Sequence, residues 1–416
     1  MQTRREFLQS LGASAGLMAI GPAASATEVP KVDLDSLVGP TGVDWGKVRA
    51  SFLLPPGLVY MNNGSLGPNP APVLRAMWEA WEQLQTDPVG QGYGALLEKA
   101  EAVRAKAAAF LGCHTDELAI TQNTTEGMNA IAQGMDLKAG DRVLTTDHEH
   151  AGGLVGWQYH AERRGVVLDT ISLPLSPKAP GDVVRLLEAR LTKQTRVISV
   201  SHVTYTTGLR LPIAEIAALA RAHGVLLVVD GAQAPGGIAV DVKPLGCHAY
   251  ATSAHKWLLA PMGTGLLCIR DEAKERIDPL LLAGGRRVYT ANTGTRNLPS
   301  VLGLGAAIDW FERLGKHAVE KRCLELRALL CEKLQAEPKV QVISPPAGEF
   351  ASPLVALELP KGRANAALAE SLRKKHNIVV RVISSAHVNG IRLSTHIYNS
   401  EDDIARLVEA LKAELS

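Results

Sequence analysis

Beyond its first two dozen residues, the chain alternates short apolar, β-branched runs with alanine- and leucine-rich stretches of helical period. "ELAIT", "DRVLTT", "RVISVSHV", "VLLVVD", "AYATS" and "GLLCIR" predict strands. "TEGMNAIAQGM" and "IAEIAALARAHG" predict helices between them. Strands that are apolar on successive residues, not on alternate ones, are those buried on both faces. The pattern therefore predicts an α/β fold with a mostly parallel sheet. From "AAIDWFERLG" onward long helical segments dominate, followed by the short strands "LVALEL", "IVVRV" and "GIRLS". These predict a smaller α+β C-terminal domain. Sheets of this class take their ligands at the carboxyl ends of the strands, which directs attention to the residues just after each apolar run.

The first residues break the pattern. "TRREFLQSLGASAGLMAIGPAASA" carries paired Arg4 and Arg5, a short, weakly apolar stretch, then Ala24-Ser25-Ala26 as a small-residue cleavage site. That order reads as a twin-arginine export signal over residues 1–26, implying folded export through the Tat machinery to the periplasm. The apolar stretch is too short and interrupted to serve as a membrane anchor.

Composition narrows the partners. The 416 residues are 46% hydrophobic and 21% charged, with 44 Lys+Arg against 42 Asp+Glu and a formal net charge of +2. No long block of one sign asks for nucleic acid or a membrane surface, so a small-molecule enzyme is expected. The five cysteines include no C-x-x-C pair. Cys323 and Cys331 sit eight positions apart in a helical stretch, about 12 Å along its axis and beyond disulfide reach. All five read as reduced.

Chemistry gathers at the strand ends. Asp230 closes "VLLVVD" and is followed by the small residues of "GAQAPGG". An acid there pairs with the protonated nitrogen of a pyridine ring, binds magnesium, or caps a helix. One predicted strand later comes Lys256 in "TSAHKWL", beside Ser253 and His255. A lysine in a partly desolvated pocket can lose its proton and attack an aldehyde, the reaction that attaches pyridoxal phosphate. Thr124 and Thr125 follow a strand and open a helix, where free backbone N–H groups and hydroxyls suit a phosphate. The same threonines are also ordinary helix caps. The spacing of His148 and His150 in "DHEHAGGLVGW" is compatible with a metal site, although no third ligand lies nearby.

Taken together, "NTTEGMNAIAQG", "VVDGAQAPGG", "TSAHKW", "GTRN" and "GIRLSTHIYN" resemble the class V aminotransferase-fold enzymes, the group containing cysteine desulfurases and isopenicillin N epimerase. The likeness spans nearly the whole chain after the signal. It implies fold-type I with a seven-stranded sheet, pyridoxal 5'-phosphate as cofactor, and a homodimer with sites at the subunit interface. It further implies an N-terminal segment over 27–60 that packs with the small domain, a cofactor-binding domain over 61–305 and a small domain over 306–416. By the resemblance Lys256 bears the cofactor and moves the α-proton, and Asp230 faces the ring nitrogen. Gln233 donates near the ring's phenolic oxygen, and His150 stacks on the ring. Thr124, Thr125, Ser253 and His255 hold the phosphate, with Thr295 reaching that of the neighbouring subunit. Arg392 grips the substrate carboxylate, and Asn63 and Gly64 close over it.

Departures sharpen the expectation. Cysteine desulfurases place a nucleophilic cysteine shortly before the carboxylate-binding arginine, and "RVISSAHVNGIR" has none, so persulfide formation is not expected. Thr204, Tyr205 and "TGLRLP" resemble the isopenicillin N epimerase branch instead. The expected activity is chemistry at the α-carbon of an amino acid or amino-acid-containing substrate, with an aminotransferase or C–S lyase as the alternative. More distant readings are a metal-dependent phosphate-handling hydrolase using Asp230 and a binding protein with decayed chemistry.

Overall fold

The computed structural model describes residues 29–415, apart from 176–178, 280–289, 292–293, 338, 361, 363 and 386–387. The export signal read at 1–26 lies outside the described residues. Seven strands form the large sheet: β1 (Leu118–Thr121), β2 (Arg142–Thr146), β3 (Val167–Ile171), β4 (Thr195–Ser201), β5 (Leu226–Asp230), β6 (Ala249–Ser253) and β7 (Gly265–Ile269). Their order is β1-β7-β6-β5-β4-β2-β3. All neighbouring pairs are parallel except those of β7, which runs against both β1 and β6. The mostly parallel α/β sheet expected from the pattern is present.

The continuous apolar runs have a direct explanation. Side chains alternate across a strand, so Leu226 and Val228 enter one buried cluster while Leu227 and Val229 enter another on the opposite face. Helices α1 (Ala71–Thr86), α2 (Leu96–Leu111), α5 (Pro180–Glu188), α6 (Ile213–Ala222) and α7 (Leu298–Leu314) contribute to the second cluster. Helices α3 (Thr124–Gln133) and α4 (Ala151–Arg164) supply Met128, Ile131 and Trp157 to the first.

A second sheet is antiparallel throughout, in the order β8 (Gln341–Val342), β9 (Leu354–Glu358), β11 (Val388–Ser394), β10 (Arg381–Ser385). With α8 (Lys316–Gln335), α9 (Asn365–His376) and α10 (Glu401–Leu415) it builds its own core around Leu330, Leu357, Leu372, Ile391 and Leu407. Val59 and Met61 belong to that core, because Val59–Tyr60 pairs in parallel with Ile378–Val379. The run "IVVRV", read as one strand, is therefore two: its first residues bind the N-terminal segment and Arg381 starts β10. All five cysteines are free, and Cys323 and Cys331 share α8. Among the described residues no helix is long and apolar enough to cross a membrane.

Candidate active site

The register of the large sheet brings the chemistry to one edge. Ser201 at the end of β4 lies beside Asp230 at the end of β5, and Asp230 lies beside Ala251 of β6. Gly265, first in the antiparallel β7, faces both Ser253 and Thr121. A cavity of about 360 Å³ opens there, lined by Thr124, Thr125, Asp230, Ser253, Lys256 and Arg392 among others.

At one side of the cavity α3 begins. Asn123 caps it, its side chain accepting from the Glu126 N–H at 2.9 Å. The cap is thus not a threonine. Thr124 and Thr125 occupy the first two helical positions, where their hydroxyls are available for other partners. The Thr124 N–H donates to Ser253 Oγ at 2.9 Å, and the two hydroxyls meet at 2.8 Å. His255 also lines the cavity; its Nδ1 is buried without a partner among the described residues, and burial followed by the charge of Lys256 pushes its pKa down to about 4.

Asp230 is buried, with Oδ1 accepting from the Ala232 N–H at 2.9 Å. Burial raises its pKa, while that hydrogen bond and the Lys256 charge oppose the rise. Gly153 of α4 is a close-approach position, since a Cβ there would stand 2.9 Å from Asp230 Oδ2. The Lys256 amine is pushed down to about 8, first by burial, with Asp230 opposing and Arg392 and Arg381 assisting. The turn carrying it is clamped on several sides. The Gly67 N–H donates to His255 O at 2.9 Å, and His396 Nε2 meets Trp257 O at 3.0 Å. Trp257 Nε1–H donates to Gln233 Oε1 at 2.7 Å.

Gln233 lines the cavity but has already committed Oε1 to Trp257 and one N–H to Gly64 O at 2.8 Å. Its second amide hydrogen is what remains for a ligand. His150 caps α4 through Nδ1, accepting from the Gly152 N–H at 3.1 Å, and its ring meets Tyr205 edge to face at 5.2 Å. Desolvation, then the charges of Lys256, Arg392 and Arg381, hold it down to about 4, so it is neutral at pH 7. His148 turns elsewhere, to Thr206 at 2.5 Å.

Arg392 comes from β11 of the other sheet. Its Nη1 donates to Tyr205 O at 2.8 Å and Nη2 to Ser65 Oγ at 3.4 Å, while Nε is buried without a partner. No ion pair engages it among the described residues, so the structural salt bridge that would explain a buried arginine is missing. Burial pushes its pKa down to about 9. Gly64 packs on the guanidinium, with Gly64 N–H donating to Ser394 Oγ at 3.1 Å. Asn63 is buried beside this point but directs Oδ1 to Tyr398 and does not line the cavity. Thr295 is exposed, 3.5 Å from the Tyr93 hydroxyl and outside the cavity of its own chain.

Three residues here escape the sequence reading. Ser65 and Arg381 line the cavity. Glu149, between the two histidines that draw the eye, is buried and accepts from Thr146 Oγ1 at 2.6 Å and Ser201 Oγ at 2.5 Å. Burial, with a further contribution from Asp230, raises its pKa to about 7 against those two hydrogen bonds.

The profile of the aminotransferase class-V family matches residues 59–407. The chain belongs to the class-V aminotransferase family. Isopenicillin N epimerase of Amycolatopsis lactamdurans is 34% identical over 399 residues, covering 89% of this chain and 98% of the relative. The enzyme of the same name from Streptomyces clavuligerus is 32% identical, with 89% and 98% covered. Among solved structures, the apo cysteine desulfurase of Thermococcus onnurineus superposes with a TM-score of 0.79 at 27% identity, covering 89% of this chain and 98% of that one. A C-DES variant with glycine covalently linked to the pyridoxal phosphate cofactor gives a TM-score of 0.81 at 25% identity, covering 88% and 99%. This class-V aminotransferase family member is accordingly an enzyme that depends on pyridoxal 5'-phosphate, with the fold-type I architecture. The cavity fits that cofactor on its own terms: hydroxyls and a helix N-terminus suited to a phosphate, a buried carboxylate suited to a ring nitrogen, and a lysine amine with lowered basicity all line it.

Proposed function

We propose that the enzyme acts at the α-carbon of an amino acid or amino-acid-containing substrate, as an isopenicillin N epimerase-like enzyme. The observation that carries this reading is the convergence of Lys256, Asp230 and Arg392, from two different sheets, on one cavity. Thr124, Thr125 and Ser253 would hold the cofactor phosphate, His255 would stand beside them, and Asp230 would hold the ring nitrogen protonated. Bound pyridoxal phosphate supplies an electron-poor ring that accepts the electron pair left when a bond to the α-carbon breaks. Arg392 grips the substrate carboxylate with its planar fork. Lys256 Nζ, with its pKa pushed down to about 8, accepts the α-proton and holds it for return.

Epimerisation needs a second group to deliver a proton to the other face. His150 and Tyr205 line the same cavity and meet each other. Burial raises the phenol's pKa, so Tyr205 keeps its proton at neutral pH, which supports it as that donor. The aminotransferase and C–S lyase readings use Lys256 alone for the proton. A panel of amino acids and peptides separates them: deuterium entering from solvent at the α-carbon with inversion marks epimerisation, a keto acid marks transamination, and released thiol marks the lyase. Retention of the original configuration with no deuterium in any substrate overturns the reading.

Two further proposals concern context. The enzyme would form a homodimer in which Thr295 reaches the neighbouring subunit's phosphate, supported by the exposure of Thr295 and of Trp78, Val89, Tyr93 and Met262. The paired Arg4 and Arg5 support folded export to the periplasm; replacing both with lysine should abolish periplasmic holoenzyme in fractionated cells.

A further inference from the structure

The edge of the large sheet opposite the cavity carries a cluster that the cofactor site does not use. β7 starts at the cavity with Gly265, and Cys268 lies toward its other end, beside Leu118, the first residue of β1. Helix α2 stops at Leu111, Gly112 takes a left-handed conformation with φ 81°, and the Cys113 N–H donates back to Ala108 O at 2.9 Å. That glycine cap turns the chain off the helix and brings Cys113 to β7. The sulfurs of Cys113 and Cys268 and a carboxylate oxygen of Glu117 all lie within 4.8 Å of one another. Cys268 is fully buried and Cys113 half-buried. Two thiols and a carboxylate are also a ligand set for a metal ion. Here Glu117 speaks against one. It accepts from the His114 N–H at 3.0 Å and the Asp271 N–H at 2.9 Å, and the Arg270 guanidinium stands 3.3 Å from its Oε2. A carboxylate answered by two backbone donors and a cation has little charge left to offer a metal. What remains is the pair of thiols.

We propose that Cys113 and Cys268 form a redox site: a dithiol that a low-molecular-weight disulfide converts, in the folded enzyme, to an internal disulfide stapling the end of α2 to β7. In the first step the Cys113 thiolate, the one nearer solvent, attacks the reagent, making a mixed disulfide and releasing one thiol. In the second, Cys268 attacks the Cys113 sulfur, making the protein's S–S bond and releasing the other thiol. The two cysteine protons end on the two released thiols, and the reagent, whose own S–S bond is broken, takes both electrons. The sulfurs close to about 2.05 Å, a travel within one change of χ1 rotamer. Interaction with Cys113, then burial, raises the Cys268 thiol well above its ordinary pKa, which makes the second step the slow one. An oxidising compartment supplies such reagents. The bridge joins positions far apart in sequence, so it restricts the unfolded chain, and it does so away from Lys256 and the cofactor.

In the test, reduced holoenzyme is incubated with hydroxyethyl disulfide at about pH 8.5, where more thiolate forms, then unfolded, alkylated and digested. It should lose two of its five thiols and about 2 Da of mass, and yield one cross-linked peptide pair holding Cys113 and Cys268. Its Tm should rise by several degrees and return on reduction with dithiothreitol, with cofactor absorption unchanged throughout. Cys268→Ala should stop at a mixed disulfide on Cys113. Because that substitution opens a cavity in the core, Cys113→Ala at the half-buried position is the second variant, and it should lose no thiol. Five intact thiols after incubation overturn the proposal, as does a reaction that stops at the mixed disulfide in the unmodified enzyme. A bridge from Cys113 to Cys247, the other buried thiol whose charge is felt by this pair, overturns the pairing. So does a zinc ion retained through purification that blocks both thiols until a chelator removes it, which would make the cluster a metal site.

Discussion

Replacing Glu149 with glutamine should make the protein more stable, by an amount that grows as pH rises from about 4.5 to about 7 and then levels off. The side chain is buried with two hydroxyls donating to it, and its pKa rises from an ordinary 4.5 to about 7. Between those values the folded protein holds a proton that the unfolded chain has released. The unfolding free energy therefore falls as pH climbs through this window, and the stabilising contribution of the protonated form is complete only below 4.5. At 1.36 kcal/mol per pH unit the full loss is roughly 3 kcal/mol. Glutamine copies the shape and polarity of the protonated carboxyl and never ionises. Urea unfolding of cofactor-free protein, followed by tryptophan fluorescence at pH 5, 6, 7 and 8, should show the variant close to the parent at pH 5. By pH 8 it should be ahead by up to about 3 kcal/mol. A difference that stays constant from pH 5 to pH 8 would refute the argument, because it would mean that Glu149 titrates alike in the folded and unfolded chains.

Lys256→Ala should abolish turnover while leaving a folded protein; near-normal activity in that variant would defeat the assignment of the proton carrier. Arg392→Ala should weaken substrates with a free α-carboxylate by ~2–5 kcal/mol, read as kcat/KM against their amides, with cofactor uptake intact. Gly64→Ala should raise KM more than it lowers kcat, since its Cβ would stand 2.8 Å from Arg392 Nη2 and push the guanidinium aside. Gly153→Ala should slow cofactor uptake, measured by absorption, because the new methyl would crowd Asp230 Oδ2 at 2.9 Å.

What could be read in the sequence is what sits on a strand end. Asp230, Ser253 and Lys256 each follow an apolar run buried on both faces, so the run itself announces the edge where ligands bind. Arg381 had no such marker. It meets Arg392 only because a hairpin of the second sheet folds one onto the other, and the run "IVVRV" conceals a break between two pairings. Glu149 was hidden for a different reason. Its neighbours His148 and His150 suggest metal chemistry by spacing, yet they point to different partners, and the residue between them is the one turned toward Thr146 and Ser201. For the threonines, composition allowed capping or phosphate binding, and Asn123 in the cap position is what frees their hydroxyls from capping, that of Thr124 meeting Ser253 Oγ instead.

The short strand Val59–Tyr60 and the turn after it carry a consequence for biosynthesis. Gly64 hydrogen-bonds to Ser394 across 330 residues of chain, and Val59–Tyr60 finds its sheet partner only at Ile378–Val379. At a translation rate of about 5–20 residues per second, the N-terminal strap waits roughly 15–70 s after leaving the ribosome tunnel before its partner exists. The large sheet, by contrast, is complete once β7 has emerged. Asp230 and Lys256 can therefore be in position well before Arg392 arrives, so that the nascent chain has a cofactor pocket before it has a substrate pocket. A nascent chain stalled ahead of residue 378 should bind pyridoxal phosphate yet show no spectral response to any amino acid.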